Sequence, residues 1–296
     1  MQRKFGFLAL AVSILIVGCG GGGSPTQVDT LADDIAPVMN SVAASLPTPG
    51  TLRLTASATD AVGVTGYCFK STADKPAATD ACFQEAAVKD FPLSQVLTLQ
   101  YLWARDEAGN VSASPLRGPC SSEGLLASDS SDTNTVCMMT SLGELVFQLE
   151  PIKAPITTAN FLKYVNDGFY SSTVFHRVIS TFMVQGGGYD TDLNYKTPTY
   201  SPITLETPAT TGLSNTVGTI AMARTSALNS ATSQFFVNVA DNSALDTAGG
   251  GYAVFGHLIS GESTLAAIKA VPVVSNGSEL SSPVTPPVIQ WVLQVK

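Results

Sequence analysis

Charged and metal-binding side chains are scarce in this sequence. Only 13% of the 296 residues are charged, and the 15 lysines and arginines form no basic cluster. A nucleic-acid partner needs such a cluster to contact phosphates, so the composition argues against one. The two histidines, His176 and His257, lie far apart in the sequence, and no pair of cysteines has CxxC spacing. We therefore predict no metal site, no dithiol redox motif and no cofactor.

Long apolar runs are also rare, and one stands near the start. Hydrophobic residues make up 45% of the chain, which is typical of a globular protein. Arg3 and Lys4 precede "FGFLALAVSILIVGC", an apolar run with the length of a signal peptide and too short to span a bilayer comfortably. Its end, "IVGC", resembles a bacterial lipobox. This predicts a lipoprotein signal peptide over residues 1–18 and a lipid on Cys19; an ordinary signal peptide or a short anchor is the alternative.

The residues after Cys19 indicate how the protein is tethered and in which membrane its lipid would be inserted. "GGGGSP" is typical of a flexible tether, which we place over residues 19–33. Gly20 follows the cysteine where an aspartate would retain an enterobacterial lipoprotein in the inner membrane. By that analogy we predict a bacterial cell-envelope protein on the outer membrane, facing the periplasm. The lipid is then its only membrane contact.

The other four cysteines are expected to form disulfides, because exported proteins with an even number of cysteines commonly do. Four cysteines allow three pairings. The pairing Cys68–Cys82 with Cys120–Cys137 is favoured, since each bond closes a short loop within one region.

Residues 34–118 show short strands separated by turn signals. "TLRLTASATD" alternates apolar and polar residues with period two, and this pattern predicts a small β-sandwich. The phrases "ATDAVGVTGY" and "YLWARDEAGNVS" resemble bacterial immunoglobulin-like or fibronectin-like modules. Asp60, Asp106 and Asn110 are interpreted as turn caps; a calcium site is the alternative.

The remainder divides into a short linker and a second domain. Residues 119–134 are small and polar, which favours a linker. Residues 135–296 are long enough for one domain, with a helix in "TTANFLKYVNDGFY" capped by Thr157 or Thr158, and a second helix in "STLAAIKAVP". Nearly all other segments have strand patterns, so the expected fold is mainly β: a closed barrel with two capping helices.

Four motifs of this second domain occur in the order of a known family. "FHRVISTFMVQGG", "GTIAMAR", "SATSQFFVNVADNSALD" and "GYAVFGHLISG" together resemble the cyclophilin family of peptidyl-prolyl isomerases, most closely its bacterial periplasmic members. The resemblance covers residues 135–296. It implies a cyclophilin-like closed antiparallel β-barrel, isomerase activity on proline-containing polypeptides, no cofactor and a monomeric state.

The resemblance also implies a site. Arg177 is the expected catalytic residue, with Gln185 orienting it or binding the substrate backbone. A lone arginine in an apolar strand could instead pair with a buried carboxylate. The expected substrate-binding residues are Phe182, Met183, Ala223, Arg224, Thr225, Gln234, Phe236, Leu245 and Tyr252. Two positions depart from eukaryotic members: Ala244 replaces a tryptophan, and Tyr252 replaces a histidine.

These residues are compatible with three functions. The leading hypothesis is an enzyme that assists the folding of exported proteins. The alternative is a peptide-binding chaperone or scaffold module with little isomerase activity, in which the N-terminal sandwich does the main work. A third hypothesis is a surface adhesin that carries both domains. Arg177, Phe182, Gln185 and Phe236 together favour the enzyme.

Overall fold

The computed structural model describes residues 33–48, 51–92 and 99–296. The predicted signal peptide, Cys19 and nearly all of the predicted tether lie outside the described residues. Residues 34–296 make up one compact unit. None of the helices in the described part of the chain has the length and apolarity needed to cross a membrane.

The N-terminal region is a β-sandwich of two antiparallel sheets. Its strands are β1 (Val38–Thr48), β2 (Thr51–Thr59), β3 (Val64–Lys70), β4 (Phe83–Gln84), β5 (Val88–Pro92), β6 (Gln100–Asp106) and β7 (Leu116–Gly118). One sheet has the order β1-β2-β5 and the other β4-β3-β6-β7. Leu52 and Leu54 from the first sheet share a buried core with Phe69 and Leu102 from the second. The predicted period-two alternation of β2 thus fills a sandwich core.

The second region is a closed antiparallel barrel of eight strands. Its strands are β8 (Thr135–Thr140), β9 (Gly143–Leu149), β10 (Thr173–Ile179), β11 (Met183–Asp190), β12 (Thr219–Met222), β13 (Phe235–Asn238), β14 (Val254–Ser260) and β17 (Val288–Gln294). A separate small hairpin, β15 (Val273–Ser275) and β16 (Leu280–Pro283), precedes β17 in the chain. The order is β10-β11-β13-β12-β14-β9-β8-β17, and β17 pairs with β10 to close it. The predicted mainly-β barrel is confirmed.

The described residues include four α-helices: α1 (Ser122–Asp129), α2 (Pro155–Asn166), α3 (Pro208–Thr211) and α4 (Glu262–Lys269). Helices α2 and α4 are the two that the sequence predicts, and both bury apolar side chains in the barrel core. Helix α2 begins before the predicted cap. Glu206, far along the chain, accepts hydrogen bonds from the N–H groups of Ile156 (3.1 Å) and Thr157 (2.8 Å), so no local cap is required.

Helix α1 lies in the segment predicted as a linker. Ser121 caps it by accepting a hydrogen bond from Gly124 N–H at 3.0 Å, and Leu125 is buried against the outside of the barrel. The segment is tied to β8 by a disulfide between Cys120 and Cys137. The other disulfide joins Cys68 to Cys82, so the structure contains the favoured pairing.

Two side chains of the barrel pack into the core of the sandwich. Trp291 of β17 and Met139 of β8 lie opposite each other, and both pack against the sandwich core formed around Leu52 and Leu54. Trp291 is 2% exposed. The outer face of two barrel strands is therefore covered by the sandwich.

Asp60 and Asp106 cap turns in the sandwich, as expected. One carboxylate oxygen of Asp60 accepts from the N–H groups of Val62 (2.9 Å) and Gly63 (3.1 Å). The carboxylate of Asp106 accepts from the backbone and side-chain N–H groups of Asn110, both at 2.8 Å. These bonds satisfy backbone donors in tight turns.

Candidate active site

Three neighbouring barrel strands place one row of side chains on the outer face of the barrel. Arg177 of β10 lies opposite Gln185 of β11, and Gln185 lies opposite Phe236 of β13. Residues directly opposite each other on paired strands project to the same face. The alternate residues, among them Val178 and Val184, are buried in the barrel core.

A β-bulge in β10 sets the direction of Arg177. The pairing register shifts between Phe175, which lies opposite Gly186, and Arg177, which lies opposite Gln185. Two residues apart on a regular strand, Phe175 and Arg177 would share a face. The extra residue, His176, turns the strand so that Phe175 enters the barrel core while Arg177 faces outward.

The row borders a cavity of about 230 Å³. It is lined by nine of the predicted site residues: Arg177, Phe182, Met183, Gln185, Ala223, Arg224, Phe236, Leu245 and Tyr252. Apolar side chains form part of its walls, with Met183 and Phe236 buried and Phe182 half-buried. A pocket that combines apolar side chains with polar groups suits a small apolar ring flanked by peptide bonds.

The guanidinium of Arg177 lies at the edge of this cavity with a defined set of partners. Its Nη1 donates to Gln185 Oε1 at 3.4 Å and contacts the Met183 sulfur at 3.7 Å. Its Nε and Nη2 donate to the carboxylate of Glu279, with Nη2 to Oε2 at 2.9 Å. Those hydrogen bonds lower the pKa of the Glu279 carboxyl to about 2. Arg177 therefore has both a place in the pocket and a carboxylate partner.

Glu279 is the residue near Arg177 that sequence reasoning missed. It lies 102 residues beyond Arg177 in the chain, at the turn of the β15–β16 hairpin. Its surroundings, "SNGSE", carry a turn signal and no motif that indicates a site. Only the folded barrel, in which β16 packs beside β10, brings the two side chains together.

A buried polar network holds the far wall of the cavity. Asn242 donates from Nδ2 to the carbonyl of Phe182 and to Asn238 Oδ1, both at 2.7 Å. The next residues form the 3₁₀ turn Ser243–Asp246, which carries Leu245 into the cavity. Asn242 thus fixes two cavity walls relative to each other. Ala244, in the same turn, is exposed and lines no part of the cavity.

Arg224 closes another side of the cavity by holding the loop after that turn. Its Nη2 donates to the carbonyls of Gly249 (2.6 Å) and Gly251 (2.8 Å), and its guanidinium lies 4.4 Å from the centre of the Tyr252 ring. With these donors engaged, the Arg224 side chain supports the loop beside the cavity.

Thr225 and Gln234 line an adjoining pocket instead of the main cavity. This second pocket is shared with Gln185, Ala223 and Arg224 and also includes Tyr195, which the sequence did not indicate. Gln185 joins the two pockets, because its Nε2 donates to Gln234 Oε1 at 2.9 Å. A Cβ on Gly188 would lie 2.5 Å from the Gln234 side chain, so any larger residue there would displace that side chain.

His176 is held neutral beside the site. Burial, with a smaller contribution from the charge of Arg177, lowers the pKa of the imidazole to about 4. The ring packs against Tyr189, with ring centres 4.5 Å apart. Its place is the bulge, away from the main cavity.

Comparison with known proteins agrees with this geometry. The sequence model of the cyclophilin-type peptidyl-prolyl cis-trans isomerases matches residues 135–290. A peptidyl-prolyl cis-trans isomerase of Acinetobacter baylyi is 48% identical over 166 residues, which cover 55% of this chain and 87% of that protein. Peptidyl-prolyl cis-trans isomerase A of Dickeya dadantii is 48% identical over 163 residues, 54% of this chain and 84% of its own length.

A crystal structure of a cyclophilin-type isomerase from Cryptosporidium parvum aligns with 26% identity and a TM-score of 0.46, over 55% of this chain and 98% of its own. The segment matched by the family model, residues 135–290, contains the residues that line the cavity and the barrel strands as far as the start of β17. The chain belongs to the cyclophilin-type peptidyl-prolyl cis-trans isomerases.

Proposed function

We propose that Arg177 catalyses rotation about Xaa-Pro bonds by donating a hydrogen bond to the proline nitrogen. The planar peptide bond resists rotation with a barrier of roughly 18–20 kcal/mol, because the nitrogen lone pair is delocalised onto the carbonyl. As the bond twists, the lone pair localises on nitrogen and becomes an acceptor. A guanidinium placed beside it stabilises the twisted state more than the planar state, and this difference lowers the barrier.

The apolar walls of the cavity would hold the proline ring during this rotation. Phe182, Phe236 and Leu245 border the cavity, and a proline ring offers them an apolar surface with no N–H to satisfy. Gln185 and the backbone at Ala223 and Arg224 are proposed to bind the flanking peptide. The observation that carries the proposal is the guanidinium of Arg177 at the edge of a cavity whose walls include Phe182, Phe236 and Leu245.

A refolding assay tests this function against the scaffold alternative. The client is a denatured protein whose slow refolding phase is limited by proline isomerisation. The protein tested is the chain from residue 19 onward, with Cys19→Ala to prevent lipidation. It is expected to accelerate that phase catalytically, and the same protein with Arg177→Ala is expected to lose most of the acceleration. Equal acceleration by both proteins, or suppression of aggregation with no change in the slow phase, would contradict the enzyme proposal.

We propose further that the enzyme works on exported proteins from a lipid anchor at Cys19, in the cell envelope. The "IVGC" motif, the tether composition and the two disulfides support this, because disulfides persist in oxidising compartments. The N-terminal sandwich, residues 34–118, is proposed to be an immunoglobulin-like module that spaces the barrel from the membrane. Metabolic labelling with a palmitate analogue is expected to mark the wild type and not Cys19→Ala; equal labelling of both would contradict the anchor.

A further inference from the structure

The β15–β16 hairpin places a carboxylate against the proposed catalytic arginine. Strand β16 packs beside β10, and the turn between β15 and β16 contains Asn276, Gly277 and Glu279. The side chains of Arg177 and Glu279 are 31% and 30% exposed, so each is largely shielded from water. A pair of this kind is screened less than a surface pair.

The contact between the two side chains is bidentate. Nε and Nη2 of Arg177 donate to the two carboxylate oxygens of Glu279, which is the geometry that a planar guanidinium forms with a carboxylate. The opposite edge of the guanidinium, Nη1, then faces Gln185 and Met183 on the cavity side. Two bonds on one edge fix the plane and rotation of the group, which a single contact could not do.

Glu279 is itself held in place. Its Oε1 accepts a hydrogen bond from the Ser281 hydroxyl at 2.8 Å. Its backbone N–H donates to Asn276 Oδ1, and its carbonyl accepts from the Asn276 N–H, both at 3.0 Å. Because these hydrogen bonds hold the turn, the Glu279 carboxylate has a fixed position, and that position in turn sets the orientation of the Arg177 guanidinium.

We propose that Glu279 is a positioning residue for the isomerase reaction: its carboxylate fixes the guanidinium of Arg177 so that Nη1 faces the proline nitrogen. The inference rests on the proposed role of Arg177. An arginine side chain has several rotatable bonds, and without a partner on its outer edge it would sample many orientations. Because catalysis here depends on one well-placed donor, loss of that orientation should lower the rate more than it weakens peptide binding.

Glu279→Ala is the first test, with Asp90→Ala as its matched control. Asp90 accepts the same two bonds from Arg53, both at 2.7 Å, on the sandwich and away from the cavity. We expect Glu279→Ala to lower kcat/KM by about 10- to 100-fold, mainly through kcat, with a peptide Kd within about twofold of wild type. Asp90→Ala should keep wild-type kinetics. Glu279→Gln, which retains one acceptor oxygen, should fall between wild type and Glu279→Ala.

A spectroscopic readout accompanies the kinetics. The Nε–H of Arg177 should give a distinct NMR signal in the wild type, identified by its loss in Arg177→Lys. In Glu279→Ala this signal should move and exchange faster with water, while the backbone spectrum of the barrel stays the same. An unchanged Nε–H signal would contradict the proposed contact, whatever the activity. A disturbed barrel spectrum in both Glu279 variants would make the role structural and also contradict the proposal.

The outcomes separate this inference from the proposed function. If Arg177→Ala loses activity while Glu279→Ala keeps wild-type kcat, the arginine proposal stands and the positioning role is wrong. If Glu279→Ala raises KM alone, the carboxylate affects binding and the proposal is again wrong. If Arg177→Ala itself retains full activity, the proposed mechanism fails first.

Discussion

Two adjacent phenylalanines on strand β13 have opposite surroundings. Phe235 is fully buried inside the barrel, where its ring meets those of Phe161 (5.7 Å), Tyr170 (5.4 Å) and Phe175 (6.0 Å) edge-on. Phe236 points to the outer face and lines the cavity, 5.8 Å from the Tyr252 ring. One peptide bond thus separates a residue that stabilises the fold from one that forms the site, because successive side chains of a strand face opposite sides.

The same division extends across the neighbouring strands. The inner face of β10, β11 and β13 contributes apolar side chains to the barrel core, whereas the outer face carries Arg177, Gln185 and Phe236 in one row. The difference implies that inner-face substitutions should act on stability and outer-face substitutions on turnover. Each prediction below tests that separation.

The largest expected effect is on the inner face. Phe235→Ala removes a ring surrounded by three other aromatic rings, and the resulting cavity should lower the free energy of unfolding by about 3–5 kcal/mol. Urea unfolding followed by circular dichroism measures this loss. Any protein that remains folded should keep a near-wild-type kcat, since Phe235 lines no part of the cavity. A destabilisation below about 1 kcal/mol would show that the inner face is not where the stability lies.

A smaller effect is expected at the outer wall. Phe182 is half-buried, so Phe182→Ala exposes little new core and should change the melting temperature only slightly. Loss of this contact with the proline ring should weaken transition-state and ground-state binding alike, lowering kcat/KM about tenfold through KM. Titration of a proline peptide and steady-state kinetics provide the two values. A large fall in melting temperature with unchanged KM would contradict the assignment of Phe182 to substrate binding and not to stability.

A pH-dependent effect on stability is expected at the bulge residue between the two faces. The pKa of His176 is about 4 in the folded chain, below its ordinary value of 6.5, because burial disfavours the imidazolium. As the pH falls, His176 of the unfolded chain is therefore protonated before His176 of the folded chain. The stability contributed by neutral His176 is complete above pH 6.5 and is lost as the pH falls toward 4, by at most about 1.4 kcal/mol per pH unit.

Urea titrations of wild type and His176→Gln from pH 7.5 to pH 4.5 measure this contribution. The wild type should lose stability more steeply than His176→Gln below pH 6.5. Parallel curves for the two proteins would mean that the imidazole is not held neutral by the bulge.

Much of the barrel was predictable from local patterns. The period-two strands and the apolar helical spacing of α2 and α4 predicted the barrel, and the resemblance of four motifs to the cyclophilins implied the nine residues that line one cavity. These features depend on short stretches of sequence, each of which carries its own signal. The alternation that separates Phe235 from Phe236 is of the same local kind.

Other features have no local signal. The bulge at His176 reverses the face expected for Arg177 from its spacing to Phe175, and only the pairing register reveals it. Glu206 caps α2 from a distant loop, and Glu279 reaches Arg177 from a hairpin that looks like an ordinary turn. Trp291 completes the core of a sandwich formed by the opposite end of the chain. Each of these contacts depends on long-range closure of the barrel or its packing against the sandwich.

The central claim is that Arg177 acts on the twisted peptide bond from the outer face, and one paired measurement tests it most directly. For wild type and Arg177→Ala, exchange NMR on a Xaa-Pro peptide gives kcat/KM, and titration of the same peptide gives the ground-state Kd. The account predicts a fall in kcat/KM of about 10²–10³-fold with a Kd within about threefold of wild type. An equal loss in both quantities would make Arg177 a binding residue, and wild-type turnover in Arg177→Ala would contradict the mechanism.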